Sequence, residues 1–302
     1  MTAIRAQRGS PSPPAPAAGA GLLASAAMPD RARRLDPDGL LDPFRRDPAG
    51  SAVLCDVDGT LAPIVARPED AALLPGLREA LRDLRPRVAL LGFVSGRAPA
   101  DARRMVGLEE CAYAGNHGAE FLLPGRSEPE VAEQARPSIE AVRAFVAAHP
   151  PALLDPHGVR LEDKGVTLTL HFRTAPDPEA AEAFLDREIG PAAEALGLRV
   201  TKGRMIREVR PAARVDKGTA VRTLLAGAGA RRALYLGDDT TDLDAWAALR
   251  AMAGAGDLER ALAVGVLSAG VPERVVHEAD LLVDGPAGAL AVLRLLAGAP
   301  AA

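Results

Sequence analysis

The chain reads as short apolar runs separated by amphipathic stretches, and their order is informative. Val53, Leu54 and Cys55 open a run that ends in Asp56, Asp58 and Gly59. Such a run predicts a strand buried on both faces, stopping where glycine frees the backbone to turn. Leu77, Leu81 and Leu84 recur at helical spacing with charges between them, so 75–84 is predicted as a helix packed on the sheet. A strand over 88–94, a helix over 99–106 and a strand over 111–114 follow. Strand and helix in alternation is the pattern of a parallel, doubly wound sheet.

The rhythm then changes. Residues 130–148 read as helical with a break at Pro137, and 159–162 with 166–172 as a hairpin turning near Lys164 and Gly165. A second helical stretch over 177–196 leads to a second hairpin, 198–201 with 205–209, turning at Gly203. A helix and two strands, twice over, predicts a small α+β unit with an antiparallel sheet. After Pro211 the alternation resumes, with helices over 217–226, 243–250 and 287–296 and strands over 233–236, 262–266 and 280–283. The expected class is therefore α/β, a doubly wound parallel sheet core with an inserted smaller α+β cap domain. The expected division is a discontinuous core, 50–118 and 212–298, around an insertion at 119–211, preceded by a disordered or weakly structured tail, 1–49.

Composition sets that tail apart. Pro and Ser dominate 10–16, small residues fill 17–27, and arginines cluster at 31–34. Arg5 and Arg8 before the Ala/Gly/Leu run faintly imitate a secretory signal, but prolines intervene and two leucines make too small an apolar centre, so export is not expected. Met28 is an alternative start of translation. No stretch approaches the ~20 apolar residues of a membrane span. Aromatic content of 3% and a net charge of −4 argue against base stacking and against a nucleic-acid partner. Cys55 and Cys111 are the only cysteines, too few for a disulfide framework or a cysteine zinc site, and a reducing, cytoplasmic setting is expected. A monomer with a small-molecule partner is the accompanying expectation.

The candidate chemistry lies at the strand ends. Asp56 and Asp58 are two apart, so both side chains leave one face beyond the carboxyl edge, where open α/β sheets place ligands. Gly59 and Thr60 offer an N–H and a hydroxyl to an anion. A later strand ends in Gly237-Asp238-Asp239-Thr240-Thr241-Asp242. Asp56 and Asp238, with the Asp58 carbonyl, make the hard-oxygen set that suits Mg²⁺, and Asp239 and Asp242 can orient its waters or Asp238. In Ser95-Gly96-Arg97 the serine can bond a phosphoryl oxygen, and Lys217 adds positive charge at a helix start, a suitable place for phosphate. Taken singly, these two motifs equally suit an ordinary turn and a solvated helix face; their order along the chain favours function. An ionised carboxylate ~4 Å from a phosphate charge is repelled by about 4 kcal/mol at an effective dielectric near 20, so cations must accompany it.

An Asp-x-Asp-Gly-Thr run after an apolar strand resembles the nucleophile motif of the haloacid dehalogenase superfamily. The stretches 115–120, Glu162-Asp163-Lys164 with His171-Phe172-Arg173, 206–211 with 216–218, and 237–242 are together similar to the trehalose-6-phosphate phosphatase family, over about residues 52–296. The resemblance implies hydrolysis of trehalose 6-phosphate to trehalose and inorganic phosphate, the last step of trehalose biosynthesis, with Mg²⁺ as cofactor and functional coupling to a trehalose-6-phosphate synthase. It implies Asp56 as nucleophile forming an aspartyl-phosphate and Asp58 as acid, then base, with Ser95, Lys217 and Asp238 completing the catalytic set. It also implies sugar-binding groups at Glu120, Glu162, Lys164, Lys202 and Glu208, while His117 either binds sugar or orders the hinge. Thr60, Gly96 and Arg97 are expected on the substrate side. For Glu162, Lys164 and Arg173, cross-strand charge pairs on a solvated face are the competing reading. One position departs from the family pattern: Leu243 stands where a glutamate is usual. The alternatives are a phosphatase of another sugar phosphate on the same core, or a silent sugar-phosphate sensor, which the intact Asp56 and Asp58 disfavour.

Overall fold

The computed structural model describes Asp36 and residues 39–298, apart from 66, 68, 69, 204, 213, 214 and 269. The expectation for residues 1–35 lies outside the described residues. The first part of the fold runs α1 (Asp42–Arg46), β1 (Ser51–Cys55), α2 (Leu77–Leu84), β2 (Leu90–Val94), α3 (Pro99–Val106), β3 (Ala112–Gly115), β4 (Glu120–Leu122) and β5 (Glu130–Val131). Next come α4 (Ile139–Ala148), α5 (Pro151–Leu154), β6 (Arg160–Asp163), β7 (Leu168–His171), α6 (Pro178–Phe184), α7 (Gly190–Ala195), β8 (Leu198–Gly203) and β9 (Ile206–Pro211). The last part is α8 (Lys217–Leu225), β10 (Arg232–Gly237), α9 (Asp242–Ala255), β11 (Arg260–Leu267), α10 (Glu273–Glu278), β12 (Leu281–Asp284) and α11 (Gly285–Leu296).

An eight-stranded sheet has the order β12-β11-β10-β1-β2-β3-β4-β5. Pairing is parallel from β12 to β3 and antiparallel from β3 to β5. β1 lies between β10 and β2, with Val53 opposite Leu234 on one side and Leu91 on the other. Successive residues of a strand point to opposite faces, and both faces here are covered. Val53 and Cys55 join the core made with α2, α3 and α11, while Ala52 and Leu54 join the one made with α8 and α9. Burial on both sides is why the strand reads as a continuous apolar run.

A second sheet, β6-β7-β9-β8, is antiparallel throughout. Leu168, Leu170 and Val209 point to α4 and α6, where Phe145 and Phe184 complete a separate core. The opposite face is polar: Glu162, Thr169, Glu208 and Thr201 lie side by side across all four strands.

Several boundaries differ from expectation. The sequence pattern starts the insertion at residue 119, yet β4 and β5 extend the large sheet as far as Val131. Glu130 and Val131 are therefore strand, not the start of a helix; a two-residue strand carries no periodicity from which to read it. The expected tail contains α1, because Leu41 and Phe44 are buried in the core beside α11. Among the described residues, no helix is long and apolar enough to cross a membrane.

Candidate active site

The site forms where β1 and β10 end side by side. Asp56 follows β1 directly, and its N–H donates to the Leu236 carbonyl of β10 at 2.9 Å. The chain then turns tightly: Leu61 N–H donates to Val57 O at 2.9 Å and Gly59 N–H to Ala62 O at 2.7 Å. Gly59 has φ +86°, and a Cβ there would come within 2.0 Å of the Asp238 carboxylate. Glycine thus lets the first acidic turn close against the second. Thr60, expected on the substrate side, instead donates its hydroxyl to Asp238 Oδ1 at 2.9 Å.

Lys217 opens α8, whose N-terminus is fixed by Asp216 and Thr219 in a reciprocal cap. Its buried Nζ donates to Asp56 Oδ1 at 2.8 Å and to Asp242 Oδ1 at 2.7 Å. Asp242 Oδ1 also accepts from the Tyr235 hydroxyl at 2.7 Å, and Oδ2 accepts from the N–H groups of Asp238 and Asp239, both at 2.9 Å. Asp56, Asp238 and Asp242 each bring a carboxylate oxygen within 4.8 Å of the others. Since both oxygens of Asp242 are engaged by four donors, Asp242 orients the cluster, and Asp56 with Asp238 are the acids suited to a hard cation.

Burial, with Asp242 and Asp238 adding to it, raises Asp56 well above the usual carboxylate range against the pull of Lys217. Burial and Asp242 push Asp238 up to about 7. Burial opposes ionisation of Lys217, but Asp242 and Asp56 outweigh it and hold the ammonium above the ordinary lysine range. One lysine does not balance three crowded acids, and that donor set fits a divalent ion.

Asp58, expected beside the metal, turns its carboxylate to Arg97, whose Nε and Nη2 donate to its two oxygens at 2.7 and 2.6 Å. Ser95 is buried and its Oγ accepts from the Arg97 N–H at 3.1 Å. Asp239, also expected to orient ligands, is exposed. Leu243, the second residue of α9, is buried in the core that also holds Trp246, so the side chain at this position packs rather than facing the cluster's solvent side.

The loop after β3 meets the second sheet. Asn116 and His117 have φ of 51° and 57°, a left-handed conformation that non-glycine residues rarely take. Hydrogen bonds of 2.8 and 3.0 Å tie them to Arg97 O and Ser95 O. A Cβ on Gly96 would lie 2.7 Å from His117 Nε2, so Gly96 makes room for the ring. His117 Nε2 is 3.5 Å from Glu208, Lys164 Nζ donates to Gly96 O at 3.3 Å, and Thr167 donates to Asn116 Oδ1 at 3.0 Å. Asn116 also donates to Glu120, whose carboxyl is raised by burial. Despite burial, His117 and Arg210 keep Glu208 well below the usual range. Glu162 is lowered by the His171 ring at 2.7 Å.

Lys202 is the sugar-binding candidate that register moves elsewhere. It pairs with Arg207 across β8 and β9 on the helix-covered face, and its Nζ is bound to Asp186 at 2.6 Å, away from Glu208. Sequence reasoning passed over Arg210, which bonds Glu208, and Thr201, which lies opposite it. Arg210 is two residues from Glu208, so strand alternation could have found it; Thr201 needs the pairing register.

The family described as trehalose-phosphatase matches residues 54–274, well over half of the chain. The chain belongs to that family. Among trehalose-phosphatase relatives, a trehalose-phosphate phosphatase of Mycobacterium bovis is 35% identical over 228 residues, 72% of this chain and 55% of that protein. An uncharacterized glycosyl hydrolase of Mycobacterium tuberculosis is 37% identical over 207 residues, 66% of this chain and 15% of that protein. The chain thus spans only part of the curated relatives it matches. The C-terminal domain of C. albicans trehalose-6-phosphate phosphatase shares the fold, with a TM-score of 0.63 at 23% identity over 86% of this chain and 96% of that one.

Proposed function

We propose that this chain hydrolyses trehalose 6-phosphate to trehalose and inorganic phosphate in a Mg²⁺-dependent reaction. The observation that carries the reading is the buried Lys217 ammonium joining Asp56 to Asp242, with Asp238 alongside, at the carboxyl ends of β1 and β10. A lysine fixed beside a carboxylate nucleophile supplies the charge that phosphoryl transfer needs.

In this reading Asp56 attacks phosphorus, the phosphorus–oxygen bond to the sugar breaks, and an aspartyl-phosphate forms. Asp58 gives its proton to the departing sugar oxygen, then takes one from the water that cleaves the aspartyl-phosphate and frees Asp56. Arg97 engages both oxygens of Asp58, so the pair must open toward the leaving group for that proton to pass. Ser95 and Lys217 bind phosphoryl oxygens. Asp56 and Asp238, with the Asp58 carbonyl, would hold the Mg²⁺, which when bound neutralises phosphoryl charge. The four-stranded unit serves as the cap, with its Glu162, Lys164 and Glu208, and Glu120 of the large sheet, turned to the sugar. A cytoplasmic, monomeric enzyme supplied by a trehalose-6-phosphate synthase belongs to the same reading, and two buried free thiols suit a reducing setting.

The test is phosphate release from trehalose 6-phosphate, glucose 6-phosphate and sucrose 6-phosphate, with and without Mg²⁺. A strong Mg²⁺-dependent preference for the first is expected. Preference for another ester would discard the named substrate and keep the core chemistry; no release from any would discard the enzyme reading.

A further inference from the structure

Arg97 joins two parts of the site that lie on different turns, and its main chain is held on three sides. Its N–H donates to Ser95 Oγ at 3.1 Å, and its carbonyl accepts from the Asn116 N–H at 2.8 Å. Gly115 packs so closely that a Cβ there would lie 2.6 Å from Arg97 O. The turn that carries Asp58 is held as well, by the Gly59 N–H to Ala62 O bond and by the bridge between Asp58 and Ala62. With both backbones fixed, adjustment falls to the side chains. The guanidinium is 18% exposed and the carboxylate 38%, so Asp58 is the partner with room to turn.

The contact has a chemical consequence. While both oxygens of Asp58 accept from Arg97 Nε and Nη2, neither can donate to a leaving group. Rotation of the carboxylate frees one oxygen and can leave the other on the guanidinium. A half-exposed ion pair is weak, so exchanging one of its two bonds costs little. Arg97 acts on Ser95 through its main chain alone: because Ser95 Oγ accepts from the Arg97 N–H, the serine O–H is left to donate. Side-chain substitutions at Arg97 therefore address Asp58 and leave the bond to Ser95 in place.

We infer that Arg97 is the positioning residue of Asp58, keeping one carboxylate oxygen while the other turns to the leaving oxygen. It acts on the reaction through Asp58 and not by touching the sugar. The inference rests on the reading that Asp56 and Asp58 hydrolyse a phosphate ester. In the step that Arg97 serves, the phosphorus–oxygen bond breaks with its electron pair on the leaving oxygen, and the proton from Asp58 completes the hydroxyl.

The test measures kcat/KM for phenyl phosphate and for p-nitrophenyl phosphate at one pH. Neither ester carries a sugar, and kcat/KM covers only the steps up to departure of the phenol. Phenol needs a proton as it leaves, whereas p-nitrophenolate departs as a stable anion. Arg97→Gln is expected to lower phenyl phosphate turnover about tenfold to a hundredfold and p-nitrophenyl phosphate turnover by less than about threefold. Arg97→Lys, which keeps the charge without the two-pronged fork, should fall between. In an Asp58→Asn background, Arg97→Gln should add no further loss, because the group it acts through is gone. Arg104→Gln, which removes a neighbouring guanidinium paired with Asp101 on α3, should keep the native ratio. A ratio of the two esters that Arg97→Gln leaves unchanged overturns the inference, whether both rates fall together or neither falls. A full Arg97→Gln loss that persists in Asp58→Asn overturns it too. If the native chain hydrolyses neither aryl ester, the Asp58→Asn comparison is made on the sugar phosphate it hydrolyses best and decides in the same way. Preference for a sugar phosphate other than trehalose 6-phosphate removes only the substrate named above, and no hydrolysis of any ester overturns both readings.

Discussion

Asp242 shows how one side chain can set the position of several others. Its carboxylate accepts from Lys217, from the Tyr235 hydroxyl and from two consecutive backbone N–H groups, so it fixes both the lysine that reaches Asp56 and the turn that carries Asp238. An amide cannot accept at both ends. Asp242→Asn therefore turns an NH₂ group toward existing donors, whichever way it is flipped. Expected is a stability loss of about 1–3 kcal/mol by chemical denaturation, as for other buried groups left unsatisfied. Phosphate release should fall by more than tenfold in the same variant. Native turnover in Asp242→Asn would show that Lys217 holds its place without this acid. Asp56, Asp238, Ser95 and Lys217 were legible in the sequence because each ends or begins an element at one sheet edge. The direction in which Asp58 turns was not, because nothing local announces a partner 39 residues away.

At the level of elements, the small unit is held by a buried arginine. Arg207 of β9 is 2% exposed, stacks its guanidinium 5.4 Å from the Phe172 ring, and is bound to Asp186 and Glu182. Asp186 lies in a π-helical turn, Leu185–Ile189, between α6 and α7, and also pairs with Lys202. Hydrogen bonds from Arg207 and Lys202 lower the Asp186 carboxyl from an ordinary 3.8 to about 2. A carboxyl whose value is depressed on folding contributes stability above its unfolded value and loses it as pH falls through the folded one. The native protein should thus lose stability between about pH 4 and pH 2 more steeply than Asp186→Asn, measured as urea midpoint against pH. Parallel curves would mean the pair contributes nothing. The apolar strands β1, β2 and β10 and both hairpins could be read from sequence, since period and turn residues agree there. β4 and β5 could not, because strands of three and two residues are defined by their neighbours alone.

Across the whole molecule, the loop after β3 meets the loop between β6 and β7 through a hydrogen bond from Thr167 to Asn116 that is buried on both sides. Removing that hydroxyl leaves the Asn116 carbonyl group without the donor that ties it to the second sheet. Thr167→Val should raise amide hydrogen exchange in residues 115–120 and 164–169 while β1 stays protected. Unchanged exchange there would place the coupling in His117 and Lys164 instead. The register of the large sheet has a further consequence during synthesis. Ser51 must find Arg232, and every strand of the smaller sheet is translated between them. The smaller sheet, contiguous in sequence, can therefore assemble on the ribosome while β1 still presents an open edge on the side that β10 takes. That interval is when a nascent chain would be most exposed to chaperones, and it closes only when β10 emerges.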